Sequence, residues 1–452
     1  MASTYLSKTY GSAGNRKTMT FSFWIKRSNL STNQYPMSIF DGGTGFQADM
    51  RFAATTDVFR MYSTDTSGTP VLHLITDRVF RDVSAWYHIV WEIDTTQATA
   101  SDRVKLYVNG VQETSFSTET YPAQNTDLRW NGTSGSTGGV TQIGAINGGN
   151  FIDGYMAHFH FIDGTAYDAS TFGETDATTG IWKPKTAPSV TYGTNGFFLK
   201  FENSGAMGTD SSGNANNFTV NGTMTQTIDT PSNVFATWNR LIKSPITLSA
   251  GNLQMGGGTL NWDSTVTTIV PQKGKWYAEI KVTSLVYDNI GFVTIDSFTD
   301  GTGRMYEKSN NITWLNNVST IRNYQGASST TASVTGGSNS GFSRTSGDIV
   351  MLALDMENGY GWFGKNGTWL NSGDPANGTN AFILSSDYAN GTAIYAGYYS
   401  AVIQANFGNG YFGTTAVSSP ENPDDGIGIF EYAVPTGYKA LCTKSINAQE
   451  YD

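Results

Sequence analysis

An all-β fold, built as two β-sandwiches in tandem, is what the sequence predicts, and three observations carry the prediction. Charged residues make up only 14% of the 452 residues, against about a quarter in an ordinary soluble domain. Glycine is abundant at 51 residues and aromatics reach 13%, the mixture of turn-forming and pleat-filling residues that many short strands need. Apolar residues alternate in short runs, and no long run keeps a helical period. A chain of this length exceeds one ordinary core and suits two domains.

The elements follow in order. TMTFSFWIKR, from Thr18 to Arg27, places Met19, Phe21, Phe23 and Ile25 on one face. VLHLI (Val71 to Ile75) is a second strand signal. AWYHIVWEID, Ala85 to Asp94, turns Tyr87, Ile89, Trp91 and Ile93 one way and Trp86, His88, Val90 and Glu92 the other. RVKLYVNGVQET reads as strand, Asn109-Gly110 turn, strand. GYMAHFHFIDGTAYDASTF, Gly154 to Phe172, gives a long strand and a short closing segment. Two stacked sheets are needed to bury these apolar faces.

From Gly173 to Asn233 the pattern loosens, and only GFFLKFE and NNFTVNG look like strands. This stretch is expected to extend the first sandwich and end in a linker near Thr230 to Asn233. GKWYAEIKV (Gly274 to Val282), NIGFVTI (Asn289 to Ile295) and AIYAGYYSAVIQANFG then supply strands of a second sandwich. In DIVMLALDMENGYGWFGKNGTWLNSGDP, Asp348 to Pro375, Ile349, Met351, Ala353 and Asp355 alternate with Val350, Leu352 and Leu354. Asp355 is expected to cap the turn at Glu357-Asn358-Gly359, and Asn366-Gly367 to form a second turn before Trp369. With no base or metal ligand spaced to help Asp355, Glu357, Lys365 or Asp374, this stretch reads as architecture. Asn-Gly-Thr at Asn131, Asn221, Asn366, Asn377 and Asn390 is read as hairpin turns rather than as glycosylation acceptors.

These residues carry resemblances. The Trp-x-His strand, the Leu-Tyr-Val-Asn-Gly hairpin and the final long strand resemble the concanavalin A-like, laminin-G-type jelly roll over residues 1–172. Gly-Lys-Trp-Tyr-x-Glu, the GD-hydrophobic strand ending in Leu-Asp, and Phe-x-Lys-Asn-Gly-x-Trp before a polar loop resemble a SPRY-type sandwich over 234–415. Residues 173–233 are then the connector, and 416–452 a C-terminal segment.

Several functions are disfavoured by composition. A net charge of −10 and no clustered basic face argue against nucleic acid as partner. The single cysteine, Cys442, allows no intrachain disulfide and requires no oxidising compartment. No run is apolar enough for a signal peptide core or a membrane span, so assembly in a cytoplasm is expected. Glu92-Ile93-Asp94 is similar to the Glu-x-Asp-x-x-Glu strand of laminarinase-type glycoside hydrolases, whose two glutamates do the chemistry. Here Gln97 stands at the third acidic position and cannot donate a proton.

Two arrangements of residues have the chemistry to hold a metal. His158 and His160, two apart on one strand and opposite Ala157, Phe159 and Phe161, have the spacing of paired ligands, with His73 and His88 as further candidates. The plainer reading is a half-exposed sheet face. Family resemblance also allows rim calcium near Asp41 and Asp49, where turn capping is the alternative. Trp130, Trp182 and Trp314 are candidates for stacking on sugars, for core packing or for contacts between copies. No catalytic set, metal or cofactor is assigned.

LSKTYGSAGNRKTMTFSFWIKRS, FGETDATTGIWKPK and LKFENSGAMGTDSSGNANNFTVNG resemble laminin-G-type structural proteins of tailed bacteriophages, marine ones in particular. YAVPTGYKALCTKSIN is similar to a segment that leads into another module in longer relatives. The resemblance implies a non-enzymatic virion protein on tail (fibre or receptor-binding type) or head (decoration or fibre type). Its expected partners are other virion proteins, further copies of itself (a trimer favoured) and a host-surface glycan or protein. A bacterial surface lectin or adhesin is the alternative, with a glycan-degrading enzyme behind it.

Overall fold

The computed structural model describes residues 3–40, 47–65, 67–133, 139–242, 246–256, 263–284, 287–297, 310–325 and 328–451. They fall into two compact units that divide between Gln226 and Thr227. The fold is all-β apart from short 3₁₀ turns and one helix, Thr443–Tyr451, among the described residues.

The first unit contains β1 (Tyr5–Lys8), β2 (Thr18–Arg27), β3 (Gln34–Phe40), β4 (Gln47–Phe52), β5 (Val58–Thr64) and β6 (Pro70–Val79). After these come β7 (Tyr87–Asp94), β8 (Val104–Val108), β9 (Val111–Glu113), β10 (Phe116–Thr120), β11 (Val140–Ile143) and β12 (Gly154–Asp163). The hairpin β13 (Gly173–Thr175) and β14 (Trp182–Pro184) precedes β15 (Phe197–Leu199) and β16 (Thr219–Asn221). One sheet runs β10-β6-β5-β4-β3-β11-β1-β16 and the other β15-β12-β2-β7-β8-β9.

Between them lies one core, and period-two alternation fills it. Met19, Phe21, Phe23 and Ile25 of β2 face inward beside Ile89, Trp91 and Ile93 of β7. Phe21 stacks on Phe161 and Phe23 on Phe159, each pair at 4.9 Å. Trp130 is fully buried in this core, with its ring 5.1 Å from that of Phe21.

The loosely patterned stretch after Phe172 is built into this unit. Phe172, Trp182 and Tyr192 cover the outer face of the six-stranded sheet against Val90, Tyr107 and Ile162. β15 pairs with β12, and β16 pairs with β1. Asp210 ties the intervening loop: Oδ1 accepts from the backbone N–H of Phe198 and Ser212, and Oδ2 from that of Asn216, all at 2.8 Å. Asn214 and Asn216 each donate to the carbonyl of Gly196 at 2.9 Å. The polar run DSSGNANN is therefore a knot of side-chain-to-backbone bonds that a search for apolar periodicity does not detect. Thr230 and Asn233, expected in a linker, pair through reciprocal backbone bonds of 3.1 and 3.0 Å.

In the second unit, Lys275–Ser284 is central to a nine-stranded sheet, flanked by Ile349–Asp355 and Val402–Asn406. A six-stranded sheet centred on Tyr287–Thr294 and Thr392–Tyr399 packs on it. Val350, Leu352 and Leu354 enter the core between the sheets. Met351 and Ala353 face the other way and are buried too, because Phe430, Tyr438, Ala440 and Cys442 cover that side. Lys439–Ala440 even adds a parallel strand beside Trp276–Tyr277. The segment 416–442 is thus a third layer of this unit rather than an appended tail.

Five Asn-Gly-Thr sites do not make five alike turns. Asn366 and Gly367 both take positive φ (49° and 85°), as a type I′ turn requires. Asn131 has positive φ without such a Gly132, while Gly222, Gly378 and Gly391 have it without their asparagines. The reason is local. Asn221 ends β16, Asn390 ends the 3₁₀ turn Tyr388–Asn390, and Asn377 donates to Asp374 Oδ2 at 2.6 Å.

Candidate functional site

The outer face of the six-stranded sheet gathers most of the candidates that the sequence offers. Trp24 and Ser22 of β2 project there beside His88 of β7 and His160 of β12. His88 is fully buried, and its ring stacks on Trp24 at 4.6 Å. Its Nδ1 accepts from Trp182 Nε1 at 3.0 Å, and its Nε2 lies 2.9 Å from Ser22 Oγ. An indole N–H can only donate, so Nδ1 is the acceptor and Nε2 carries the proton, which it donates to Ser22. A serine beside a histidine has the outline of a nucleophile and base, yet this tautomer leaves the imidazole no lone pair for the hydroxyl proton. Burial, helped by His158 nearby, lowers the pKa of His88 to about 3.

His160 is also buried, with its ring stacked 3.8 Å from Phe198 and its Nδ1 2.9 Å from the Tyr192 hydroxyl. Burial drives its pKa well down. The strand is not regular here. A β-bulge interrupts the pairing with β2 between Ala157 and His160, and His158 takes φ of 47°. Ala157 consequently stands opposite Trp24, on the same face as His160 rather than across from it. At His160 the face is covered, because the segment after Phe172 folds over it, while Ala157 and His158 stay partly exposed. The rings of His158 and His160 are 6.5 Å apart. Among the described residues no group of three or more His, Cys, Asp or Glu side chains is arranged to hold a metal.

The carboxylates are engaged locally. Glu92 accepts from the Tyr107 hydroxyl at 2.7 Å and has Lys105 at 3.6 Å. Asp94 accepts from Thr96 N and Oγ1 through Oδ1, and from Gln97 Nε2 at 2.6 Å through Oδ2. Gln97 thus buttresses Asp94 at the strand end. Asp41 lies outside the described residues. Asp49 is fully buried and held by Arg60, so it is not a carboxylate free on a rim.

In the second unit, Asp355 Oδ1 accepts from the backbone N–H of Glu357 and Asn358 at 2.9 and 3.1 Å, the turn cap expected of it. Trp314 is a core residue, with the guanidinium of Arg344 4.6 Å over its ring. One residue that sequence reasoning passed over is Glu279. It is fully buried and accepts from Glu431 N and Tyr432 N at 2.8 Å, Tyr277 Oη at 3.0 Å and Asn406 Nδ2 at 3.3 Å. Burial raises its pKa to about 7 against those four donors. The signal was available: a lone acid inside the apolar run WYAEIKV must find partners or lose its charge. Its partners clamp the third layer onto the sheet.

Comparison with known proteins gives a family match within the first unit. A search of curated proteins gives no match. SPRY-type structures are among the structural neighbours. The SPRY domain of human HERC1 is 12% identical, with 37% of this chain and 96% of that chain covered and a TM-score of 0.27. The TRIM65 PSpry domain is 11% identical, with 38% and 91% covered and a TM-score of 0.28. Residues 2–169 match the family described as the concanavalin A-like lectin/glucanases superfamily, in its laminin G form. The matched residues run through the strands from β1 to β12, so this part of the chain is similar to a superfamily that includes both lectins and enzymes.

Proposed function

We propose that the protein is a non-enzymatic structural component of a tailed-bacteriophage virion. It is displayed in several copies on tail or head, where it recognises a cell-surface glycan or protein. What supports binding over hydrolysis is the engagement of Glu92, Asp94 and His88. Each is satisfied by neighbours within the fold, and the position that a second catalytic glutamate would take is Gln97, bonded to Asp94. The virion assignment rests on the sequence resemblance of residues 6–28, 172–185 and 199–222. A trimer is the favoured state, since closed symmetry presents identical faces outward and repetition strengthens weak single-site contacts.

Mass spectrometry of purified particles, with light scattering of the isolated chain, tests the assignment. The chain is expected in virions at a copy number that is a multiple of its solution oligomer. A monomer absent from particles would refute it. Incubation with laminarin or alginate is expected to release no reducing ends, and a release abolished by Glu92→Gln would return the protein to the hydrolases.

A further inference from the structure

The outer face of the eight-stranded sheet carries a polar row that crosses the strands. From Ser7 on β1, successive cross-strand partners are Gln142, Ser38, Asp49, Tyr62 and His73. At one end the row is closed. The turn after β11 reaches onto it, with Ser38 Oγ donating to the Ala145 carbonyl at 2.7 Å and Gly148 N to Gln142 Oε1 at 3.2 Å. From β4 to β6 it is open, and Arg51, Arg60, Tyr62 and His73 remain partly exposed.

Charge is unevenly matched there. Asp49 is buried, and its two oxygens accept from Arg60 Nη2 at 2.6 and 2.7 Å. Arg51 stands directly across from Arg60 in the ladder. Its guanidinium lies 6.0 Å from the Tyr35 ring centre, and Nη1 donates to the Tyr35 hydroxyl at a long 3.4 Å. Arg51 Nε and His73 Nε2 are buried atoms without a hydrogen-bond partner. Tyr62 meets the His73 ring edge-on at 5.5 Å. Two adjacent arginines thus stand near one buried carboxylate that bonds Arg60, beside an aromatic ring, on a chain whose net charge is −10.

We propose that this patch binds a carboxylate-bearing sugar of an acidic polysaccharide, an inference that rests on the glycan-binding reading above. The planar guanidinium of Arg51 suits a carboxylate through paired N–H bonds. The partly exposed Tyr62 ring, with the Arg60 guanidinium 5.1 Å over it, gives the sugar an aromatic surface, and the His73 ring lies beside it. The strands are about 4.8 Å apart, so an extended ligand lying across β4, β5 and β6 meets one of these side chains at each step.

Affinity electrophoresis of the full chain tests this, in gels containing polygalacturonate, dextran sulfate, neutral dextran or polyglutamate. Retardation by polygalacturonate alone is expected. Arg51→Gln and Tyr62→Ala should each weaken it about tenfold or more while the melting temperature shows both variants folded. Arg51→Lys, which keeps charge without the planar fork, should fall between. Should Arg51→Gln fail to fold, Tyr62→Ala carries the test. Equal retardation by dextran sulfate or polyglutamate would overturn the sugar-carboxylate assignment. Retardation by dextran that neither substitution changes would overturn the site and leave glycan binding standing. No retardation by any glycan would end both.

Discussion

Trp182 donates its indole N–H to His88 Nδ1 at 3.0 Å, a side-chain bond from the covering segment to the sheet beneath it. It fixes the imidazole tautomer and so decides what Ser22 can do. The indole also fills space that two glycines leave. A Cβ at Gly173 would approach it to 2.4 Å, and one at Gly110 to 2.8 Å.

Trp182→Phe should therefore leave a buried ring nitrogen unsatisfied and cost about 1–3 kcal/mol, with some packing lost besides. Chemical denaturation of the two proteins measures it. Equal midpoints would mean that the bond contributes nothing to holding the cover.

The first unit should lose stability in mild acid. His88 is kept neutral in the fold, with its pKa near 3, whereas in the unfolded chain it titrates near 6.5. The unfolded state then binds more protons below that pH. Stability is full above about pH 6.5 and falls by about 1.4 kcal/mol per unit beneath it, or roughly 2 kcal/mol by pH 5. His160, lowered by burial in the same way, adds to the slope, so His88→Gln should reduce it by the His88 share, read from melts at pH 7 and pH 5. A slope unchanged by the substitution would place the titration elsewhere.

Glu279 should act in the opposite direction on the second unit. Its folded pKa near 7 lies above the unfolded value of about 4.3. The folded state binds the extra proton, so its contribution is greatest below that value and declines as pH rises towards 7, by up to about 3 kcal/mol. Glu279→Gln should be less sensitive than the wild type to pH between 5 and 7. Glu279→Ala should cost more at every pH, because Glu431 N and Tyr432 N lose their acceptor.

Gly367→Val should destabilise the second unit by about 1–2 kcal/mol. Gly367 has φ of 85°, and a Cβ there would meet the Tyr432 ring at 3.1 Å. An unchanged melting temperature would contradict the turn geometry.

The sandwich strands were legible because their alternation is a direct consequence of burying one face. Met19 to Ile25 and Tyr87 to Ile93 behave as their spacing requires. What escaped was held together by polar atoms. Asp210 with Asn214 and Asn216 closes a loop without apolar periodicity, and Glu279 anchors a layer whose own strands are two residues long. The bulge at His158 was equally hidden, since an extra residue in one strand shows only against its partner. Of the site candidates, Gln97 was visible as a departure from the Glu-x-Asp-x-x-Glu pattern, but its bond to Asp94 and the bond from Trp182 to His88 were not. The Arg51 patch depends on register across three strands.

β16 lies beside β1, with Tyr5 paired to Asn221 and Ser7 to Thr219. The first and last strands of this sandwich are therefore neighbours at one edge of its eight-stranded sheet. Tension along the backbone would reach this three-residue ladder before the aromatic core and open it one rung at a time, from Tyr5 inward.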